Sequence, residues 1–233
     1  ALLAEAAGID ASRVSLEGDM VLDDRQGFEA FLQRRAGGEP VSKILGRRQF
    51  WGRDFEVTRD TLDPRPETET LIAAALELGP VARFADLGTG SGIIAVTLLC
   101  EWPNATAVAT DISLAALDVA CGNGARAGVN DRISRQHITD PDQWLPEQIG
   151  TFDLILSNPP YISEVEMTEL SREVSNFDPH IALTPGGDGL SPYRALATQA
   201  LNHLMPGGHI MVEIGWKQGP DVAELFRQAG LTE

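Results

Sequence analysis

The four residues Asn158-Pro159-Pro160-Tyr161 bear most directly on chemistry in this 233-residue chain. They follow an apolar run, Phe152 to Ser157, that reads as a buried strand. Neither proline has an N–H to give to a ladder, so the chain must leave the sheet here. An amide side chain on Asn158, a free carbonyl on Pro159 and the aromatic ring of Tyr161 are thereby set at a strand's carboxyl end. That is where open α/β sheets bind ligands. Two acceptors and a flat ring suit one task, which is holding a planar –NH2 group by both protons while something is transferred to its nitrogen. A carboxamide nitrogen is a poor nucleophile because its lone pair is delocalised. Such a site must therefore supply alignment and electrostatics, not a covalent intermediate. Asn158, Pro159, Pro160 and Tyr161 are the candidate catalytic residues, and no His, Cys or Ser nucleophile is suitably placed beside them.

A second constellation lies upstream. Phe84-Ala85-Asp86-Leu87 ends a strand, and Gly88-Thr89-Gly90-Ser91-Gly92 turns into the helical Ile93-Ile94-Ala95-Val96. Glycine lets backbone approach a ligand closely, and the helix start offers unpaired N–H groups. The spacing is Gly-x-Gly-x-Gly, not the Gly-x-Gly-x-x-Gly of dinucleotide sites. Asp111 closes the next strand, where a carboxylate can accept both hydroxyls of a ribose. The alternative role for Asp111, a helix cap, belongs better to Ser113. Asp140, after the third strand, sits where an adenine amine could be read, although Asp140-Pro141-Asp142 also reads as a turn. Trp144 either covers the adenine or packs on the sheet. A ribose acceptor without dinucleotide spacing, joined to an amide-holding motif, fits S-adenosylmethionine better than NAD. Asp86, residues 88–92, Asp111, Asp140 and Trp144 are the cofactor candidates, with Asn158 at their border.

These residues need a scaffold. After Gly79, strands near 82–87, 105–111, 132–138, 151–157 and 207–214 alternate with helices near 91–102, 114–127, 164–174, 190–204 and 218–229. That alternation predicts an α/β fold, a doubly wound Rossmann-like parallel sheet. Residues 1–36 read as helical until Gly37-Gly38. Gln49-Phe50-Trp51, Gly52-Arg53-Asp54 and Phe55-Glu56-Val57 read as a short hairpin with Gly at its turn. Asp63-Pro64-Arg65-Pro66-Glu67-Thr68-Glu69 opens an Ala/Leu-rich helix, with proline and carboxylates as an ordinary helix start. Its density of charge also makes Arg65 and Glu67 candidates for the wall of the substrate pocket. The expected division is a helical segment over 1–39, a hairpin linker over 40–66 and a catalytic domain over 67–233.

Bulk properties narrow the function. The formal charge is −16. Residues 1–75 carry 14 acidic and 10 basic side chains, and residues 76–233 carry 20 and 8. A catalytic half with that excess of carboxylates is poorly suited to gripping a duplex through its phosphates, so no direct duplex DNA binding is expected. No apolar run reaches the length of a membrane span. Cys100 and Cys121, with no Cys-x-x-Cys, read as buried free thiols in a reducing, cytoplasmic setting. His137, His180, His203 and His209 show no ligand spacing, so no metal is expected. The chain lacks an initiator Met, which suggests residues in front of Ala1.

Asn158-Pro159-Pro160-Tyr161 resembles the signature of amino-methylating, S-adenosylmethionine-dependent methyltransferases. Gly46 to Gly52 with Pro64 to Glu69, Phe177-Asp178-Pro179 through Gly186-Gly187-Asp188-Gly189-Leu190 to Tyr193-Arg194, and Gly207-Gly208-His209 through Glu213-Ile214-Gly215 to Gln218-Gly219 are similar to the HemK-like peptide chain release factor glutamine N5-methyltransferases. The resemblance runs from about residue 40 to the end. It implies a class I methyltransferase sheet, joined by a hairpin to an amino-terminal helical bundle that helps to dock the release factor. It further implies methyl transfer to the glutamine of the Gly-Gly-Gln loop of class 1 release factors, with S-adenosylhomocysteine as product. Asn158, Pro159 and Tyr161 would hold that glutamine. The chain departs from the family pattern in carrying Asp63 where an apolar residue is usual, in a bundle about one helix short, and in lacking the last two strands of a seven-stranded sheet after Glu233. Two other readings compete: a nucleic-acid amino-methyltransferase acting on adenine N6 or guanine N2, which would need a basic groove, and a non-catalytic S-adenosylmethionine-binding module, which would not need the Asn158–Tyr161 motif.

Overall fold

The amino-terminal segment is cut into short helices by its own capping residues. Helix α1 (Leu2–Ala7) ends at Gly8, and Asp10 then caps a single 3-10 turn at Ala11–Arg13. Asp24 opens α2 (Arg25–Ala36) by accepting from the Gly27 N–H at 2.8 Å. The expected helix over 1–36 is therefore interrupted, because each aspartate offers the backbone an acceptor that begins a new turn. The computed structural model describes residues 1–16 and 21–232, so the part of that expectation on 17–20 lies outside the described residues. A third helix, α3 (Val41–Leu45), follows Pro40 and was not legible in the hairpin pattern expected there.

The hairpin pairs β1 (Arg47–Phe50) with β2 (Arg53–Glu56), Phe50 opposite Arg53. Its turn is Trp51-Gly52, with φ of 48° and 69°, the two-residue geometry that matches strand twist. Trp51 is held in that uncommon conformation partly because its N–H donates to Glu69 Oε1 at 3.0 Å, in the first turn of α4 (Thr68–Leu78). Phe50 and Phe55 meet edge to face at 6.1 Å and bury against the main sheet.

Among the described residues, five parallel strands form that sheet: β3 (Arg83–Leu87), β4 (Thr106–Asp111), β5 (Ile133–His137), β6 (Phe152–Ser157) and β7 (Leu204–Val212), in the order β5-β4-β3-β6-β7. The chain winds outward from β3 to β5, then returns to place β6 on the other side of β3. That reversal is the switch point at which a crevice opens outside the strands' carboxyl ends. Phe84, Leu154 and Leu156 face the layer made by the hairpin, α4 and α5 (Ile93–Glu101). Ala85, Leu87 and Ile155 face the layer of α10 (Ser191–Ala200) and α11 (Gly219–Gln228). Every residue of α5 from Ile93 to Leu99 is buried, which fits its uninterrupted apolar sequence. On the same side, Asn123 of α6 (Leu114–Arg126) ties that helix to the hairpin by accepting from the Glu56 N–H at 2.8 Å.

Several boundaries differ from expectation. The helix expected over 164–174 is two helices, α7 (Glu164–Met167) and α8 (Arg172–Phe177), because Ser163 and Ser171 each cap a separate start. A further short helix, α9 (His180–Leu183), follows Pro179. Helix α10 stops at Ala200 instead of 204, and β7 begins at Leu204 instead of 207. The Phe152 N–H donates to the His203 carbonyl at 2.8 Å, so pairing starts early and then slips between Phe152 and Leu154. Cys100 and Cys121 are free and half-buried, not fully buried. Among the described residues no helix is long and apolar enough to cross a membrane.

Candidate active site

A cavity of about 380 Å³ opens at the switch point, within the size range of small-molecule sites. The turn after β3 forms one wall through Gly88, Thr89, Gly90 and Ser91. It is anchored from below: Asp86 Oδ2 accepts from the Thr89 hydroxyl at 2.6 Å and from the Ala95 N–H at 3.0 Å. Asp86 is fully buried and does not line the cavity; its Oδ1 has no hydrogen-bond partner among the described residues. Burial pushes its carboxyl up to about 6 against these two donors. Gly92 serves packing. Its φ is 80°, and a Cβ there would stand 2.9 Å from Ala120 Cβ on α6.

Asp111 closes β4 and enters the cavity. Its Oδ2 accepts from the Gly90 N–H at 2.9 Å and its Oδ1 from the Ser113 N–H at 2.8 Å. A carboxylate has about four acceptor sites, so each oxygen keeps capacity for another donor. Burial raises its pKa despite these bonds. Ser113 caps α6 through the Ala116 N–H at 3.2 Å, which leaves Asp111 free for another role. Beyond it, Ile112, Ile138 and Trp144 give the cavity an apolar end, and the Trp144 ring lies against Gly88. Asp140 is exposed and bends back to accept from the Asp142 N–H at 3.0 Å, in the local turn that its sequence permits. Its neighbours Pro141 and Asp142 line the cavity, and Asp140 does not.

The opposite wall carries Asn158 and Pro160 at the end of β6. Ser157 Oγ donates to the Leu87 carbonyl at 2.7 Å, fixing this strand end beside the glycine turn. Asn158 Nδ2 donates to Thr68 Oγ1 at 3.1 Å, and the Thr68 hydroxyl donates to Glu213 Oε2 at 2.7 Å. Tyr161 donates from its hydroxyl to Glu213 Oε1 at 3.4 Å, and Tyr193 donates to the Glu213 backbone carbonyl at 2.8 Å. Burial, with Glu213 beside it, pushes the Tyr161 hydroxyl up to about 12, and burial likewise raises Glu213. Pro159 is buried, and neither it nor Tyr161 lines the cavity. The Tyr161 carbonyl accepts from Gln218 Nε2 at 3.0 Å and lies so close to Gly189 (φ 79°) that a Cβ there would overlap it. That contact explains Gly189 in the 186–190 segment.

Arg65 lines the cavity and donates to Asp178 Oδ2 at 2.7 Å, while Glu67 stands exposed at the cap of α4. Asp178 also meets Lys43 Nζ at 3.3 Å, and that buried ammonium donates to the carbonyls of Thr58 and Thr61. Asp63 joins this group through its N–H, which donates to Asp178 Oδ1 at 3.0 Å. The cluster pins the linker to the segment before α9 and sets the outer wall. Thr68, Glu213, Gln218 and Asp178 were not among the sequence candidates. For Glu213 a signal existed, since it is a carboxylate just past the end of β7, much as Asp111 is one at the end of β4.

Known families cover most of the chain. The Methyltransferase small domain family matches residues 60–188, and the PrmC N-terminal domain family matches residues 1–46. A release factor glutamine methyltransferase of Cereibacter sphaeroides is 53% identical over 99% of this chain and 82% of its own. The chain belongs to the release factor glutamine methyltransferases. A second member of the family, from Bradyrhizobium diazoefficiens, is 42% identical over 99% of this chain and 79% of its own. Among solved structures, the hMettl16 catalytic domain in complex with a MAT2A 3'UTR hairpin superposes with a TM-score of 0.62 at 17% identity. It covers 83% of this chain and 72% of that one. At that identity the likeness is one of fold, the class I S-adenosylmethionine-dependent methyltransferase architecture.

Proposed function

We propose that this chain transfers a methyl group from S-adenosylmethionine to the side-chain amide nitrogen of the Gly-Gly-Gln glutamine in a class 1 peptide chain release factor. The observation that carries this reading is the meeting, in one cavity, of a turn anchored on carboxylates and an asparagine whose amide nitrogen is turned away into the protein. The residues present fit the cofactor. Asp111 keeps acceptor capacity for two ribose hydroxyls, Ile112, Ile138 and Trp144 offer an apolar slot for a flat base, and Gly88 to Ser91 bring main chain to the wall. When bound, S-adenosylmethionine supplies a methyl on a cationic sulfur, and the S–C bonding pair returns to sulfur as S-adenosylhomocysteine forms.

The chain's own residues do the aligning. Asn158 Oδ1 and the Pro159 carbonyl each accept one N–H of the glutamine amide, which concentrates electron density on its nitrogen. Pro160 holds the turn, and Tyr161, expected from the sequence to stack on the flat amide, stands behind the cavity wall with its hydroxyl on Glu213. The glutamine nitrogen forms a bond to the methyl carbon and loses one proton to water. Alignment of reacting groups supplies roughly 7–11 kcal/mol in favourable intramolecular cases. Arg65, with Glu67 near it, shapes the wall against which the release factor loop lies. The reading divides the chain into a docking segment over 1–39, a hairpin linker over 40–66 and the transferase domain from 67, acting in the cytoplasm where release factors work. The test is transfer of labelled methyl to a purified release factor with its Gly-Gly-Gln glutamine intact or replaced by alanine. Label on the intact protein alone is expected, and equal labelling of both would place the acceptor elsewhere.

A further inference from the structure

The Asn158 side chain has two ends of similar shape and opposite hydrogen-bonding sense, and only one of them can receive a substrate –NH2. Nothing in the Asn158–Tyr161 segment itself decides which end faces the cavity. The decision comes from outside the motif. We propose that Thr68 and Glu213 are positioning residues for the transfer: the Glu213 carboxylate takes the one proton of the Thr68 hydroxyl, Thr68 is left to accept from Asn158 Nδ2, and Asn158 Oδ1 is thereby left to the cavity. This inference rests on the reading of the site as an amide N-methyltransferase.

A hydroxyl has one hydrogen and lone pairs. Thr68 is fully buried on the first turn of α4, and its Oγ1 lies 2.7 Å from Glu213 Oε2 and 3.1 Å from Asn158 Nδ2. An ionised carboxylate only accepts, so the hydroxyl hydrogen must point to Glu213 and the sense of the whole chain follows. No described residue donates to Asn158 Oδ1, and Asn158 lines the cavity. The same carboxylate accepts from the Tyr161 hydroxyl at 3.4 Å, while Tyr193 of α10 fixes the Glu213 main chain at 2.8 Å. One acidic residue thus orients two members of the motif, from just past the end of β7.

Protonation reverses the sense. A neutral Glu213 donates to Thr68, whose hydrogen then turns to Asn158. The amide answers by presenting Oδ1 to Thr68 and its two N–H donors to the cavity, where a substrate –NH2 also brings donors. The charged and titratable groups facing Glu213 are Glu67 ahead of α4 and the hydroxyls of Tyr161 and Tyr193, with Arg65 near Tyr161. Burial raises the Glu213 pKa and the Glu67 charge adds to it, against the Thr68, Tyr161 and Asn158 bonds that favour the anion.

The experiment compares wild type, Thr68→Val, Thr68→Ser and Glu213→Gln in labelled methyl transfer to a purified release factor across acid and neutral pH, with S-adenosylmethionine Kd measured on each. Wild type is expected to show kcat falling on the acid side at a pKa above the ordinary carboxylate range. Thr68→Val is expected to lose kcat by about 10–100-fold with Kd within about two-fold, Thr68→Ser to recover most of it, and Glu213→Gln to lose the acid limb. Unchanged kcat and an unchanged pH profile in Thr68→Val and Glu213→Gln would overturn the inference. So would parallel loss of kcat, cofactor affinity and thermal stability with no recovery in Thr68→Ser. Should Thr68→Val fail to fold, the acid limb of wild type against Glu213→Gln decides. A wild-type enzyme that labels no release factor would remove the functional reading itself, and this inference with it.

Discussion

At the β3–β4 end of the cavity, main-chain N–H groups do the holding, whereas at the β6–β7 end side chains do it. Asp111 is fixed by the N–H groups of Gly90 and Ser113, twenty-one and two residues away, within neighbouring turns of one winding unit. Asn158 is fixed by Thr68 and, through it, by Glu213, 90 and 145 residues apart respectively along those two bonds. The contrast matches the two tasks. A cofactor used in every turnover can be gripped by a rigid turn. A substrate amide must meet acceptors of one definite sense, and at the two-ended Asn158 amide a side-chain network fixes that sense. Burial raises the acid groups at both ends, Asp86 and Asp111 at one and Glu213 at the other.

This comparison can be broken in several ways. The largest effect is expected from Asn158→Ala, which removes the acceptor of the transfer end. Release factor methylation at saturating cofactor should fall by roughly 10²–10³-fold, read as single-turnover label incorporation, and retention of most of the rate would end the division of tasks. Asp86→Asn probes the other end through stability. The folded-state pKa of Asp86 is raised from 3.8 to about 6, so its contribution favours the fold while protonated and is lost as pH rises through about 6. The asparagine keeps an acceptor for Thr89 and Ala95 without the buried charge. Urea unfolding should show it more stable than wild type by up to about 3 kcal/mol above pH 7, and nearly equal to wild type near pH 4. Equal stability at both pH values would mean that Asp86 is not a penalised carboxylate. Asp111→Ala should weaken S-adenosylmethionine by about 10–100-fold, with kcat little changed once cofactor saturates. Unchanged affinity in titration calorimetry would remove Asp111 from the ribose site.

The same contrast explains what was legible in the sequence. The strands β3, β4 and β6, the turn at 88–92 and the exit at Pro159-Pro160 were readable, because each is set by residues adjacent in the chain. Ser113 as the cap of α6 was readable for the same reason. Thr68 and Glu213 stood in segments that carry the family resemblance but were given no site role, since that role exists only when α4 and the end of β7 are brought to β6 by the fold. Asp178 likewise looks like a loop residue until Lys43, Arg65 and the Asp63 N–H converge on it. Asp140 failed to reach the cavity because its own turn chemistry took the side chain first. Short helices α3 and α9 escaped because four or five residues carry too little periodicity to separate from a loop.

The central claim is that binding the cofactor and orienting the acceptor are separate tasks of the two ends. It is tested most directly by titrating S-adenosylmethionine into Asn158→Ala by calorimetry. An affinity within about two-fold of wild type, in a protein that no longer transfers methyl, is the predicted result. A loss of about ten-fold or more would contradict it, because Asn158 would then be part of the grip on the cofactor and not an instrument of transfer alone.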